Sequence, residues 1–167
     1  MKRRPRLTRA RLRELLHYNP KTGEFRWRKR PGDGHGDPSA GYVESRAYRR
    51  IKVDGRAYRE HQLAWFYMTG RWGKATIDHR DRDASNNRLN NLRRATRSQN
   101  NANRCRPRHN TSGHTGASLC RESAKWRATV SRNGKIIDLG RFETPQEAHE
   151  VYLAAARKLF GEFARAE

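Results

Sequence analysis

The sequence predicts an α+β protein built from short antiparallel strands and short helices, and three local patterns carry that prediction. Tyr48 to Val53, Asp54-Gly55 and Arg56 to Arg59 read as a hairpin, because Asp-Gly supplies the positive-φ positions of a type I′ turn. Trp126 to Ser131, Asn133-Gly134 and Lys135 to Leu139 repeat the pattern. Thr144-Pro145-Gln146-Glu147 then combines a capping box with proline at the first helical position. The helix it opens places Ala148, Val151, Tyr152, Ala155 and Leu159 along one stripe, and Gly161 is positioned to cap its end.

The remaining elements follow from local signals. Residues 1 to 6 are a basic tail. Thr8 is a helix N-cap ahead of Leu12, Leu15 and Leu16, with Asn19-Pro20 as the stop. Pro20 to Gly23 reads as a turn into a strand, Glu24 to Arg28, with Phe25 and Trp27 on one face and Arg26 and Arg28 on the other. Residues 30 to 41 are rich in Gly, Pro and Asp and read as a loop. A mostly apolar helix spans Glu60 to Thr69. Strands are expected at Lys74 to Asp78 and Leu92 to Ala95, and a short helix opens at Ser98 and carries Asn100 and Asn103. Residues 104 to 113 read as a linker able to track a nucleic-acid backbone or minor groove. A strand near Gly116 to Cys120 pairs beside the second hairpin.

Composition narrows the partners. The 167 residues suit two small domains, and 38 Lys plus Arg against 17 Asp plus Glu leave a net charge of +21. Such an excess, mostly arginine, implies a polyanion, because guanidinium forks match phosphate and do not titrate away. No apolar run is long enough to span a bilayer, and the basic N-terminus lacks the apolar core of a signal peptide, so a membrane is not expected as partner and a cytoplasmic location is. Cys105, His109, His114 and Cys120 could in principle hold zinc, but the short ligand pairs of zinc fingers are missing and incidental placement is the favoured reading.

The chemistry concentrates in Ile77 to Asn103. Hydrolysing a phosphodiester needs a hard cation to neutralise phosphoryl and leaving-group oxygens, and a base to take a proton from water. Asp78 and Asn100 supply oxygen donors suited to Mg²⁺ or Mn²⁺, and two protein ligands leave room for substrate. His79 is the candidate base. Adjacent strand residues point to opposite faces, so Asp78 and His79 converge only where a strand ends, and the polar loop Arg80 to Asn86 provides that ending.

With Asp78-His79, the Asn-Asn-Leu segment at Asn91 and Asn100 nine positions later, the chain resembles the HNH endonucleases, specifically the phage-type homing branch with a ββα-metal fold. The resemblance implies that Asp78 and Asn100 are metal ligands, His79 the general base, and Asn91 the residue whose side chain ties down the loop and orients the base. Where the family often has glycine in the loop this chain has Arg82. The segment His61 to Trp65 resembles the helix preceding the catalytic strand, with His61 in a structural role. Arg80, Arg82, Arg93 and Arg94, with Arg88, are assigned to clamping phosphate, so binding should weaken steeply with salt.

From about Asn110 to Ala164 the chain resembles the Apetala-two/ethylene-response-factor DNA-binding domain. The residues that carry this are Thr115-Gly116-Ala117, Lys125 to Ala128, Leu139 to Phe142, Thr144 to Ala148 and Gly161 to Ala164. It implies a three-stranded antiparallel sheet packed on one helix, with the exposed sheet face on DNA. Arg127, Thr129 and Ser131 alternate onto that face, and Arg121, Lys125 and Lys135 would anchor it. The expected organisation is therefore a nuclease domain at 1–103 (catalytic core about 60–103), a linker at 104–113, and a DNA-binding domain at 114–167. The expected activity is a site-selective, metal-dependent endonuclease on double-stranded DNA. It would act as a nicking monomer and leave 5′-phosphate and 3′-hydroxyl ends. A non-catalytic DNA-binding regulator is the alternative, and an RNA-binding protein lacks the paired surface aromatics that base stacking needs.

Overall fold

Thr8 caps the first helix as its sequence suggests, its hydroxyl accepting from the Arg11 N–H at 3.1 Å, and α1 runs Arg9–Leu15. The computed structural model describes residues 6–29, 39–45, 48–72, 76–104 and 110–164. Its contacts divide the chain into two units, Met1–Arg94 and Ala95–Glu167.

In the first unit, α1 stops before the expected Asn19-Pro20. Leu16 is already extended (φ −127°, ψ 146°), and Leu16–Tyr18 forms β1, antiparallel to β2, Phe25–Trp27. The reason lies in burial. Leu16 and Tyr18 are buried and His17 is exposed, a period of two that a strand satisfies, and the partner β2 supplies the hydrogen bonds. Residues 30–38 of the expected loop lie outside the described residues, but just beyond it Tyr42–Ser45 forms β3, an element the sequence did not announce. It is the edge of a three-stranded antiparallel sheet completed by the expected hairpin, β4 (Tyr48–Val53) and β5 (Arg56–Arg59). Asp54 and Gly55 take φ 47° and 77°, both positive as the type I′ turn requires.

The next helix, α2, spans Glu60–Thr69 and ends on Gly70 at φ 71°. Its last carbonyls would otherwise lack partners, and Arg9 reaches two of them, donating to the Tyr67 and Met68 oxygens at 2.9 and 2.7 Å. Strand β6 (Thr76–His79) pairs with β7 (Leu92–Ala95), and expected Lys74 falls outside the described residues. One core holds these pieces together. Leu12, Leu16, Phe25, Ile51, Leu63, Phe66, Ile77 and Leu92 are all buried in it, and a side chain such as fully buried Phe25 contributes about 1.5–3 kcal/mol.

The second unit begins with α3, Arg97–Ala102. Thr96 rather than Ser98 starts it, in a reciprocal capping box with Gln99 that supplies two of the first-turn partners. Beyond it, β8 (Ala117–Cys120), β9 (Lys125–Arg132) and β10 (Lys135–Phe142) form the expected three-stranded antiparallel sheet, in the order β10-β9-β8, packed on α4, Pro145–Phe160. The helix buries Ala148, Tyr152, Ala156 and Phe160, a strict i+4 series, with Val151, Ala155 and Leu159 half-buried beside it. Gly116 is required here: at φ 80°, a Cβ on it would meet the Tyr152 ring at 2.1 Å.

Candidate active site and nucleic-acid interface

Asp78 and His79 are the last two residues of β6, where the chain leaves the sheet for a turn at Arg80, and both are buried, at 6% and 5% exposure. Asp78 does not stand alone in that setting. Arg93 on β7 donates from Nε to its Oδ2 at 2.9 Å, and the arginine is itself only 6% exposed. Arg93 was expected among the phosphate clamps. A clamping arm needs reach into solvent, and this one is committed to compensating a buried carboxylate. Arg80, Arg82, Arg88 and Arg94 are exposed.

The loop after His79 is organised by Asp81 and Asn91. The Asn91 Oδ1 accepts from the Asp81 N–H at 3.1 Å, while its Nδ2 donates to Asp81 Oδ1 and to the Asn86 carbonyl, both at 2.8 Å. Asn86 Nδ2 donates to Asp81 Oδ2 at 2.6 Å, and the Arg80 N–H donates to the Asn91 carbonyl at 2.9 Å. Asn91, immediately before β7, thus ties the loop down at Asp81 and at Asn86. At Arg82, where a glycine would be at ease, φ is 68°.

The imidazole of His79 is held by a residue that sequence reading passed over. Its Nε2 lies 3.1 Å from Asn87 Oδ1, and Asn87 Nδ2 donates to Glu60 Oε2 at 3.2 Å. Arg49 Nε donates to the same Glu60 oxygen at 2.9 Å. Asn87 is 2% exposed, and the Tyr18 hydroxyl donates to its carbonyl at 2.7 Å. Burial raises the Glu60 carboxyl above its ordinary range, against the pull of Arg49 and of hydrogen bonds from Asn87 and the Phe25 backbone. His61, expected to be structural, stacks edge-on against His79 with ring centroids 5.0 Å apart. Burial first, then the neighbouring charges of His79 and Arg59, push its pKa down to about 3, so it is a neutral packing group. Glu60 escaped notice because an acid in the first turn of a helix already has an ordinary explanation in the helix dipole.

Asn100 lies on α3 in the second unit, half-buried. Among the described residues, no three His, Cys, Asp or Glu side chains are grouped to hold a metal ion. The donors expected for one are of a suitable kind. Carboxylate and amide oxygens are hard donors, and an ionised carboxylate has about four lone-pair positions, so the Arg93 bond to Asp78 is compatible with a coordinate bond on the same group. Of the cysteine and histidine cluster, Cys105 and His109 lie outside the described residues, and Cys120 is a free thiol.

In the second unit the register sorts the expected DNA-contacting residues. Ala128 and Val130 face α4, so Arg127, Thr129 and Ser131 point away from it. Antiparallel partners share a face, which adds Ser118 and Arg141 opposite Arg127, Asp138 opposite Thr129, and Ile136 opposite Ser131. Arg127 is engaged by Asp138, with Nη2 at 2.8 Å from Oδ2, and Lys125 by Glu143 at 2.6 Å, both at the surface. Arg121 and Lys135 are exposed. Ile136, 72% exposed at the turn end of this polar face on edge strand β10, is the residue that pattern reading missed.

Comparison with known proteins matches the segment that holds this site to a family. Residues 58–102, which contain Glu60, Asp78, His79, Asn87, Asn91, Arg93 and Asn100, match the profile of HNH endonucleases. Protein 3.8 of Escherichia phage T7 is 35% identical over 111 residues, which are 66% of this chain and 91% of that protein. A protein of Acanthamoeba polyphaga mimivirus described as an uncharacterized HNH endonuclease, L560, is 34% identical over 88 residues, 53% of this chain and 44% of the mimivirus protein. This chain therefore spans less than half of the mimivirus protein. A solved structure described as DNA binding and cleavage by the HNH homing endonuclease I-HmuI overlaps with a TM-score of 0.44 at 18% identity, covering 86% of this chain and 83% of that one. The chain carries an HNH endonuclease domain at residues 58–102, and it is an enzyme of that class.

Proposed function

We propose that this protein is a metal-dependent, site-selective endonuclease of the homing type that nicks double-stranded DNA as a monomer, leaving 5′-phosphate and 3′-hydroxyl ends. The observation that carries this reading is the pairing of Asp78 and His79, both buried at the point where β6 ends, inside the family-matched segment that also contains Asn91 and Asn100. Asp78 and Asn100 would hold one Mg²⁺ or Mn²⁺. When bound, such an ion neutralises charge on the phosphoryl and leaving oxygens. The chain's own contribution is to compensate Asp78 with Arg93, to hold the loop through Asn91, and to present His79 as the acceptor of the water proton.

Arg80, Arg82 and Arg94 would grip the phosphates, and the outer sheet face of Arg127, Thr129 and Ser131, flanked by Arg121, Lys125 and Lys135, would select the site. In this reading 1–103 forms the nuclease domain, 104–113 the linker and 114–167 an Apetala-two/ethylene-response-factor type module. The net charge of +21 supports a polyanionic partner. Viral relatives support work in the cytoplasm of an infected cell. No helix among the described residues is long and apolar enough to cross a membrane.

The test is incubation of supercoiled plasmid with Mg²⁺ or Mn²⁺. Relaxed circles with 5′-phosphate ends are expected from the wild type. Asp78→Ala, His79→Ala and Asn100→Ala should abolish them while DNA binding persists. Binding without relaxed circles in the wild type would sink the assignment.

A further inference from the structure

The polar groups behind His79 form a chain with a direction. It begins at Arg49, whose guanidinium can only donate, and it does so from Nε to Glu60 Oε2. Paired with the guanidinium, that oxygen carries the negative charge of the carboxylate and accepts. The atom of Asn87 that meets Oε2 is the donor Nδ2, at 3.2 Å. This turns Oδ1, which only accepts, toward Nε2 of His79 at 3.1 Å. A ring nitrogen facing an acceptor has to carry the hydrogen. The neutral ring therefore places its proton-accepting lone pair on Nδ1.

A flipped Asn87 amide would set Oδ1 against Glu60 Oε2, two acceptors with no hydrogen between them. The backbone that carries this side chain is also fixed: the main-chain carbonyl of Asn87 accepts from the buried Tyr18 hydroxyl, and the Asn19 to Gly23 turn closes over the adjoining backbone. A Cβ on Gly23 would fall 2.6 Å from the Asn87 carbonyl carbon and the Arg88 nitrogen. Glu60 is 2% exposed at the start of α2, an expensive place for a carboxylate whose only purpose is a helix dipole.

We infer that Arg49, Glu60 and Asn87 are positioning residues for the nuclease reaction: they set the tautomer and ring orientation of His79, so that Nδ1 receives the proton of the attacking water. The inference deepens the active-site reading above and rests on His79 being the base. An amide rotated by 180° would offer a donor to Nε2 and move the lone pair to the face turned away from the reaction.

Four full-length proteins test it: His79→Ala, Asn87→Ala, Glu60→Gln, and Glu60→Gln combined with Asn87→Asp. Plasmid nicking in Mg²⁺ gives kcat and KM, and ¹⁵N spectra of the histidine side chains give the tautomer, the His79 signals being assigned by their loss in His79→Ala. In the wild type, the ring is expected as the Nε2–H form. Asn87→Ala should lower kcat about 10²-fold, within the range of general-base contributions, with KM within about two-fold and a mixed tautomer. Should Asn87→Ala not fold, Glu60→Gln carries the test, with a smaller fall in kcat and the same mixing. The double variant restores an acceptor facing Nε2 and a donor facing the new carboxylate, so kcat and the Nε2–H form should largely return. An Nδ1–H ring in the wild type, or wild-type kcat in folded Asn87→Ala or Glu60→Gln, overturns the inference and leaves the base assignment standing. Wild-type turnover by His79→Ala removes the base assignment itself.

Discussion

The two units bury different kinds of side chain. Seven of the eight buried polar or charged residues among those described, Glu60, His61, Asp78, His79, Asn87, Asn91 and Arg93, lie in the first unit, and the second contributes Asn103. The second unit is built the opposite way: alanines, Tyr152, Phe160 and Phe163 fill its interior, and its charges stand on an outer sheet face in surface pairs. A buried polar group costs free energy unless every partner is supplied, so such a network is maintained only where the groups must be held still. A surface charge costs little and can exchange its partner for a phosphate. The first unit is organised like a reaction site and the second like a binding face.

The largest effect expected from breaking this contrast is in the first unit. Arg93→Ala leaves the Asp78 carboxylate buried without its compensating charge, and should cost roughly 3–5 kcal/mol, read by urea denaturation of the whole chain. An unchanged midpoint would mean that the pair is not buried as described. Next comes the second unit's interior. Gly116→Ala combines left-handed strain of about 1 kcal/mol with overpacking of about 1–3 kcal/mol against Tyr152, a loss visible as a lower Tm.

A third effect depends on pH. His61 is held neutral with its pKa lowered to about 3, whereas in the unfolded chain it titrates near its ordinary value of about 6.5. Between those values the unfolded state binds the extra proton. Stability conferred by His61 is therefore complete above about pH 6.5 and is lost as pH falls toward 3. Glu60, whose carboxyl is raised, acts in the opposite direction, so the comparison is with His61→Leu, which keeps Glu60. The Tm of the wild type should fall more steeply than that of His61→Leu on acidification. Parallel curves would show that His61 does not titrate this way.

Smaller changes sharpen the comparison. Arg82→Gly relieves a left-handed backbone and should gain up to about 1 kcal/mol while weakening DNA binding at low salt. Lys135→Ala, on the exposed face of the second unit, should alter stability by less than about 0.5 kcal/mol, yet reduce the slope of log affinity against log salt by about one. An unchanged slope would take Lys135 out of the interface.

How far this architecture can be read without coordinates depends on the range of each interaction. The Asp54-Gly55 and Asn133-Gly134 hairpins, the Thr8 and Thr144 caps and α2 are written in neighbouring residues, because turn geometry and helix capping act over a few positions. So is the spacing of Asp78, His79, Asn91 and Asn100, which led to the family. The early stop of α1 was not legible, since it depends on β2 arriving beside Leu16–Tyr18. Nor was the commitment of Arg93, which looks like any other arginine of a basic run until β7 pairs with β6 and brings it to Asp78. The same holds for Glu60 and Asn87, 27 positions apart yet hydrogen-bonded. The sequence alone determined which chemical groups are present and the local turns that carry them. Tertiary structure decided which of them are buried, and burial is what converts an ordinary arginine, glutamate or asparagine into a partner that fixes another residue's charge or orientation.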